Sequence, residues 1–239
     1  MALRAPEGIL HRRIEIDPTY QIGMALLISS SEAEKGGSVS QADAPTASGG
    51  RNNAGQPRTV LDDTGIRRAL MRIAHEIVER NSDPENLYLV AIPNGGEPLA
   101  RILARNLREI VDVDVAVGVL DTTLYRDDLT TTGERPRLRR TEMPSAVDDR
   151  VVILVDDVVK TGRTIRAAMD ALMDFGRPKV VQVVGLVDRG HRELPIKLDY
   201  VGKNVPTRSG ETVHLRGADG SLDARLEMIL LDTGSGGTA

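Results

Sequence analysis

A chain of 239 residues, 40% of them hydrophobic, is long enough for one sizeable core or two small ones. It has no Cys, which excludes disulfides and thiolate metal sites, and its formal charge of -4 argues against a generally basic nucleic-acid binder while leaving room for a local basic patch. With no Trp, one Phe and four Tyr, base stacking on aromatic platforms has few candidates, so any nucleic-acid contact must rest on Arg, Lys and His.

Residues 1–28 hold one mixed segment, GILHRRIEIDPTYQIGMALLI, that reads equally as a strand or a short docking helix. Its apolar part, Ile22 to Ile28, is short for a signal core, follows Asp17 and lacks a cleavage pattern. No run approaches the length of a membrane span, so a cytoplasmic protein with no membrane partner is expected. Residues 29–58 are dominated by Ser, Gly, Ala, Asn and Pro, too little apolar surface to offset chain entropy, and read as a disordered linker. The expected organisation is an N-terminal extension over 1–58, one folded domain over 59–232 and a flexible tail over 233–239.

From Thr64, a plausible N-cap, Ile66, Ala69, Leu70, Ile73, Ala74, Ile77 and Val78 recur at helical spacing. LYLVAIP then reads as a buried strand, NGGEP as a turn, PLARILARNLREIV as a helix and VDVAVGVLD as a second strand. After a long polar stretch from Thr122 to Asp149 come the strand VVILVD, the helix IRAAMDALMDFG and the strand KVVQVVGLVD. ETVHL and RLEMILL flank a GADGS turn as an antiparallel appendage. The alternation predicts an α/β fold: a mainly parallel sheet with helices on both faces.

Chemistry concentrates in VVILVDDVVKTGRTIRAAMDAL, residues 151–172. In open α/β sheets ligands bind beyond the carboxyl ends of strands, which is where Asp156 and Asp157 stand. Lys160, Thr161, Gly162, Arg163 and Thr164 then lead into a helix, whose N-terminal N–H groups, with a glycine and hydroxyls, suit a phosphate. Carboxylates beside a phosphate would repel it, so they are better used a few ångströms away, accepting hydrogen bonds from sugar hydroxyls. A ribose 5-phosphate meets both demands. Neither a Walker A loop nor a GxGxxG fingerprint is present, so ATPase and dehydrogenase readings lose their motifs.

Four apolar residues, two acids, a short spacer and T-G-x-T make VVILVDDVVKTGRT resemble the phosphoribosyl-diphosphate motif of type I phosphoribosyltransferases. IRRALMRIAHEIVERN, TLYRDDL, DALMDFGRPK and LVDRGHRELPIKLDYVGKNVPT, spanning about 64 to 209, resemble the PyrR family of pyrimidine operon attenuation regulators and uracil phosphoribosyltransferases. The resemblance implies the type I phosphoribosyltransferase fold, conversion of uracil and phosphoribosyl diphosphate to UMP and diphosphate, and binding of pyr leader mRNA promoted by a uridine nucleotide, UMP or UTP. It places Asp156 and Asp157 on the ribose hydroxyls, Asp157 also near the base, and Val158 and Lys160 to Thr164 around the 5-phosphate. Arg126 opens a mobile loop and meets diphosphate charge, while Asn94, Gly95 and Gly96 form the diphosphate loop.

Two positions depart from the family pattern: Asn94-Gly95-Gly96 stands where Thr-Arg-Gly is usual, and Lys160 where Tyr is common. Mg²⁺ is expected, bound mainly through phosphoribosyl diphosphate rather than by a protein cluster. Arg72, His75, Arg192, Lys197 and Lys203 are the implied RNA-binding residues, with Arg68 on the same helical face as Arg72 and His75, and Arg189 and His191 beside Arg192. Met71 replaces a hydroxyl that relatives can offer. A homodimer or tetramer is implied. Two alternatives stay open: an enzyme without RNA binding, and a nucleotide-binding regulator that turns over poorly because of Asn94-Gly95-Gly96.

Overall fold

The structure is a computed structural model, and it describes residues 57–93, 95–127, 140–217 and 225–232. The expected extension, its linker up to residue 56, Asn94, most of the GADGS turn and the tail lie outside these residues.

The first strand, β1 (Arg58–Leu61), leads into helix α1 (Asp63–Arg80). The cap of α1 is Asp62, whose carboxylate accepts from the Gly65 N–H at 2.8 Å, and not the expected Thr64, which lies inside the first turn. An Asp at this position reaches the third free amide of the helix and favours its positive end, so it starts the helix two residues earlier than the hydroxyl would. Ile66, Ala69, Leu70, Ile73, Ala74 and Ile77 are its buried stripe.

Strand β2 (Leu87–Ala91), helix α2 (Gly96–Val111), β3 (Ala116–Val119), β4 (Val151–Val159), helix α3 (Arg163–Met173) and β5 (Val180–Asp188) follow as the sequence pattern predicts. A further strand, β6 (Tyr200–Asn204), pairs with β5; its short polar sequence gave no strand signal, and the partner edge supplies what propensity does not. These strands form one five-stranded parallel sheet in the order β3-β2-β4-β5-β6. The appendage is a second sheet, in which β8 (Leu226–Asp232) pairs antiparallel with both β1 and β7 (Glu211–Gly217).

Side chains alternate across β4, and this sorts the molecule into two cores. Ile153 and Val155 join the buried faces of α1 and α2 and the inner side of the small sheet, whereas Val152 and Leu154 pack with Ile165, Ala168, Ala171 and Leu172 of α3. Each fully buried Ile or Leu contributes about 1.5–3 kcal/mol relative to an exposed one, so both cores hold β4 firmly. The strand's carboxyl end is thereby fixed from both sides.

Candidate functional site

The alternation that sorts the cores also separates the two acids. Asp156 continues the α3 side of β4 and is 5% exposed, while Asp157 continues the opposite side. Asp156 lines a cavity of about 260 Å³ together with Arg126, Val158, Val159, Lys160, Thr161, Gly162, Thr164 and Ile165. Asp157 packs against the first turn of α2: a Cβ at Gly95 would overlap its carboxyl group, so only glycine lets the two approach. Gly96 meets the Val155 carbonyl in the same way. The structure therefore brings Asp157 to the Gly95-Gly96 turn and Asp156 to the Lys160–Thr164 turn; Asn94 lies outside the described residues.

Burial raises the Asp156 carboxyl well above its usual range, and the neighbouring Asp157 charge adds to the shift. Asp157 is also raised by burial, but hydrogen bonds oppose that, the Val158 N–H donating to it at 2.9 Å. The Asp157 N–H in turn donates to Asp156 at 3.1 Å. A carboxyl held toward its neutral form both donates and accepts, which is the need of a vicinal diol.

The loop between β4 and α3 is shaped for an anion. Gly162, with φ 91°, is the N-cap of α3 and has no side chain to cap the helix, so the first turn faces the cavity without an internal carboxylate. Arg126 reaches in from the segment after β3 and donates to the Thr164 hydroxyl at 3.3 Å. Arg163, expected at the phosphate, is instead held by Asp127 and Glu193, each at 2.7 Å. Those carboxylates lie 36 and 30 residues away in sequence, so no local spacing signals them.

The basic residues divide. Arg72 donates to the Val201 and Gly202 carbonyls of β6 at 2.9 Å and pairs with Glu76, so α1 and β6 meet as a basic face requires. His75 and Lys197 are exposed, and Lys203 is exposed while donating to the Val60 carbonyl at 3.0 Å. Arg189 is buried, bonded to Thr207 and the Glu211 carbonyl, which removes it from the surface patch expected of it. His191 bonds the Thr207 carbonyl at 2.7 Å. Arg192 faces inward onto carbonyls and Asp188.

The donor set tests the expected ion. Among the described residues no group of three or more His, Cys, Asp or Glu side chains is placed to hold a metal. A hard divalent cation fits this cavity only as a shared guest, with Asp156 beside it and its remaining ligands from substrate oxygens and water.

A parallel sheet with an acid pair and an anion turn at the carboxyl end of its central strand defines a phosphoribosyltransferase, and a phosphoribosyl transferase domain family matches residues 58–215. Solved structures agree on the fold. A hypoxanthine phosphoribosyltransferase of Trypanosoma cruzi superposes with a TM-score of 0.57 at 21% identity, covering 72% of this chain and 94% of that one. A hypoxanthine-guanine phosphoribosyltransferase of Bacillus anthracis gives 0.52 at 21% identity, over 62% and 84%. Sequence relatives are closer: the bifunctional protein PyrR of Pelotomaculum thermopropionicum is 55% identical over 174 residues, 73% of this chain and 95% of its own, and that of Deinococcus deserti is 56% identical over 158 residues, 66% and 86%. The chain belongs to the PyrR family.

Proposed function

We propose that the protein converts uracil and phosphoribosyl diphosphate to UMP and diphosphate and, with a uridine nucleotide in the same pocket, binds pyr leader mRNA to promote transcription attenuation. The observation that carries this reading is the likeness to bifunctional PyrR proteins across nearly their whole length, with the acid pair and the T-G-x-T turn of the β4–α3 motif present.

In the reaction a uracil ring nitrogen attacks the anomeric carbon, the bond to the diphosphate oxygen breaks, and the nitrogen's proton leaves to solvent. Charge builds up on the sugar as an oxocarbenium-like state, and the protein's part is to position and neutralise. Asp156 takes the ribose hydroxyls; Thr161, Gly162 and Thr164 take the 5-phosphate, with Lys160 adding charge. Asp157, beside Gly95 and Gly96, stabilises the cationic sugar where the diphosphate departs, and Arg126 meets the diphosphate. Mg²⁺, bound chiefly through the substrate, would neutralise the leaving group's charge. The folded domain is taken as 59–232, between an extension and a tail, in a cytoplasmic homodimer or tetramer.

Arg72, His75, Lys197 and Lys203 form the proposed RNA face, supported by the contact of α1 with β6. Two assays test the whole: UMP formation from uracil and phosphoribosyl diphosphate, and UMP-strengthened, salt-sensitive binding of a pyr leader hairpin. Absence of product above a no-protein control removes the enzyme; binding indifferent to UMP and salt removes the regulator.

A further inference from the structure

Residues 188–197 run as a strap behind the anion loop. The Arg192 side chain, 22% exposed, spends its guanidinium on four acceptors: the Ile196 carbonyl at 3.0 Å, the Lys160 carbonyl at 2.7 Å, the Val159 carbonyl at 3.5 Å and the Asp188 carboxylate at 2.8 Å. One position further on, the Glu193 and Leu194 N–H groups both donate to the Thr161 carbonyl, at 3.0 and 3.2 Å. Leu194 and Ile196 pack against Gly162.

These bonds set the polarity of the loop. All the described peptide bonds are trans, and in a trans peptide the N–H points opposite to the C=O of the same unit. The Lys160 carbonyl is turned to the strap, which turns the Thr161 N–H away from it. The Thr161 carbonyl is turned the same way, which does the same for the Gly162 N–H. Both donors thus point away from the strap, and Thr161 and Gly162 are themselves residues that line the cavity. Successive N–H groups so directed make a concavity for an anion.

We propose that Arg192 is a positioning residue for the phosphate-binding loop, holding the peptide units of residues 159–161 in the orientation that receives the 5-phosphate. This rests on the sugar-phosphate reading of the cavity. It gives Arg192, expected as an RNA contact, a place inside the enzyme as well, one step behind the atoms that touch substrate. A guanidinium suits this place because its five N–H donors, spread over a fixed planar fork, reach four acceptors, whereas an ammonium has three donors at a single point.

The test is a kinetic split on the full chain. Arg192→Ala is expected to raise KM for phosphoribosyl diphosphate at least about tenfold, with kcat lowered less than about threefold, and to weaken UMP binding by calorimetry in parallel. Arg192→Lys should recover only part of the loss. Asp62→Ala, which removes the α1 cap and so lowers stability far from the cavity, is the control: an equal rise in KM there would show mere destabilisation and overturn the assignment. Loss of leader-RNA binding in Arg192→Ala with an unchanged KM would overturn it as well, in favour of a direct RNA contact. Should Arg192→Ala fail to fold, Asp188→Asn must still raise KM, since it frees the guanidinium from its anchor; an unchanged KM there counts against the proposal. If the wild-type chain makes no UMP, the catalytic reading falls, and the positioning role stands or falls on whether Arg192→Ala weakens UMP binding. If the wild-type chain does not bind UMP either, both fall together.

Discussion

The cavity proposed for the sugar phosphate and the face proposed for RNA are built in opposite ways. Every residue lining the cavity except Arg126 comes from one stretch, 156–165, held between two buried cores. The basic face is assembled from α1, the segment before β6, and β6 itself, and its cations are exposed and partly bonded to carbonyls. A contiguous turn can be rigid because burial on both sides fixes it; a composite surface is only as defined as the packing of the elements that bring it together. The cavity should therefore respond to small changes in shape, and the face to changes in charge.

The largest effect is expected at the point where the two acids part. Asp157→Asn should lower the rate of UMP formation by about 10²-fold or more, since the proposed role of Asp157 is to aim a charge at the developing cation, and steady-state kinetics with UMP product detection reads it. An equal loss of leader-RNA affinity in that variant would show that the two regions are one site. Gly95→Ala follows, with a loss of about 10–10²-fold, because its methyl group must displace the Asp157 carboxyl by a fraction of an ångström or more. A fully active Gly95→Ala protein would mean that Asp157 needs no such placement.

Lys203→Ala or His75→Ala should weaken leader-RNA binding several-fold. Each phosphate contact removed should lower the slope of log affinity against log salt by about 1, as a salt titration would show. UMP formation measured alongside should change little if the face is separate from the cavity.

The smallest effect concerns stability and pH. Asp156 has its carboxyl pKa raised by burial, so the native state holds its proton more tightly than the unfolded chain does. Stability is then unaffected by this group below the unfolded value near 3.8 and falls as pH rises from there through the raised folded value. Asp156→Asn removes that fall, and should raise Tm at neutral pH by about 2–4 °C for each kcal/mol regained, while leaving Tm at low pH nearly unchanged. Scanning calorimetry between about pH 3 and pH 8 checks the sign; a Tm lowered at neutral pH contradicts it.

The same contrast explains what could be read from residues alone. Four of the five parallel strands announced themselves by apolar runs, and the β4–α3 turn by its acids, glycine and hydroxyls, because each signal is local. β6 gave none: Tyr200 and Val201 are followed by Gly202, Lys203 and Asn204, and only the β5 edge makes them a strand. The fates of Arg163 and Arg189 were equally hidden, since their acceptors are chosen by tertiary approach, and Arg192 was hidden in part: Asp188 and Ile196 are four residues away, but the Val159 and Lys160 carbonyls are not. An arginine in a string of letters looks like a surface charge whether it meets water or a buried carbonyl. Likewise the helix start fell to Asp62 over Thr64, a choice between neighbours that periodicity does not make.

At Lys160 the backbone is fastened through its carbonyl, while the side chain stands exposed at the mouth of the cavity. Anchor and side chain are thus independent, and position 160 behaves as an interchangeable socket. A neutral, aromatic or acidic residue can be installed there without rebuilding the turn, which makes it a natural dial for the charge that the cavity presents.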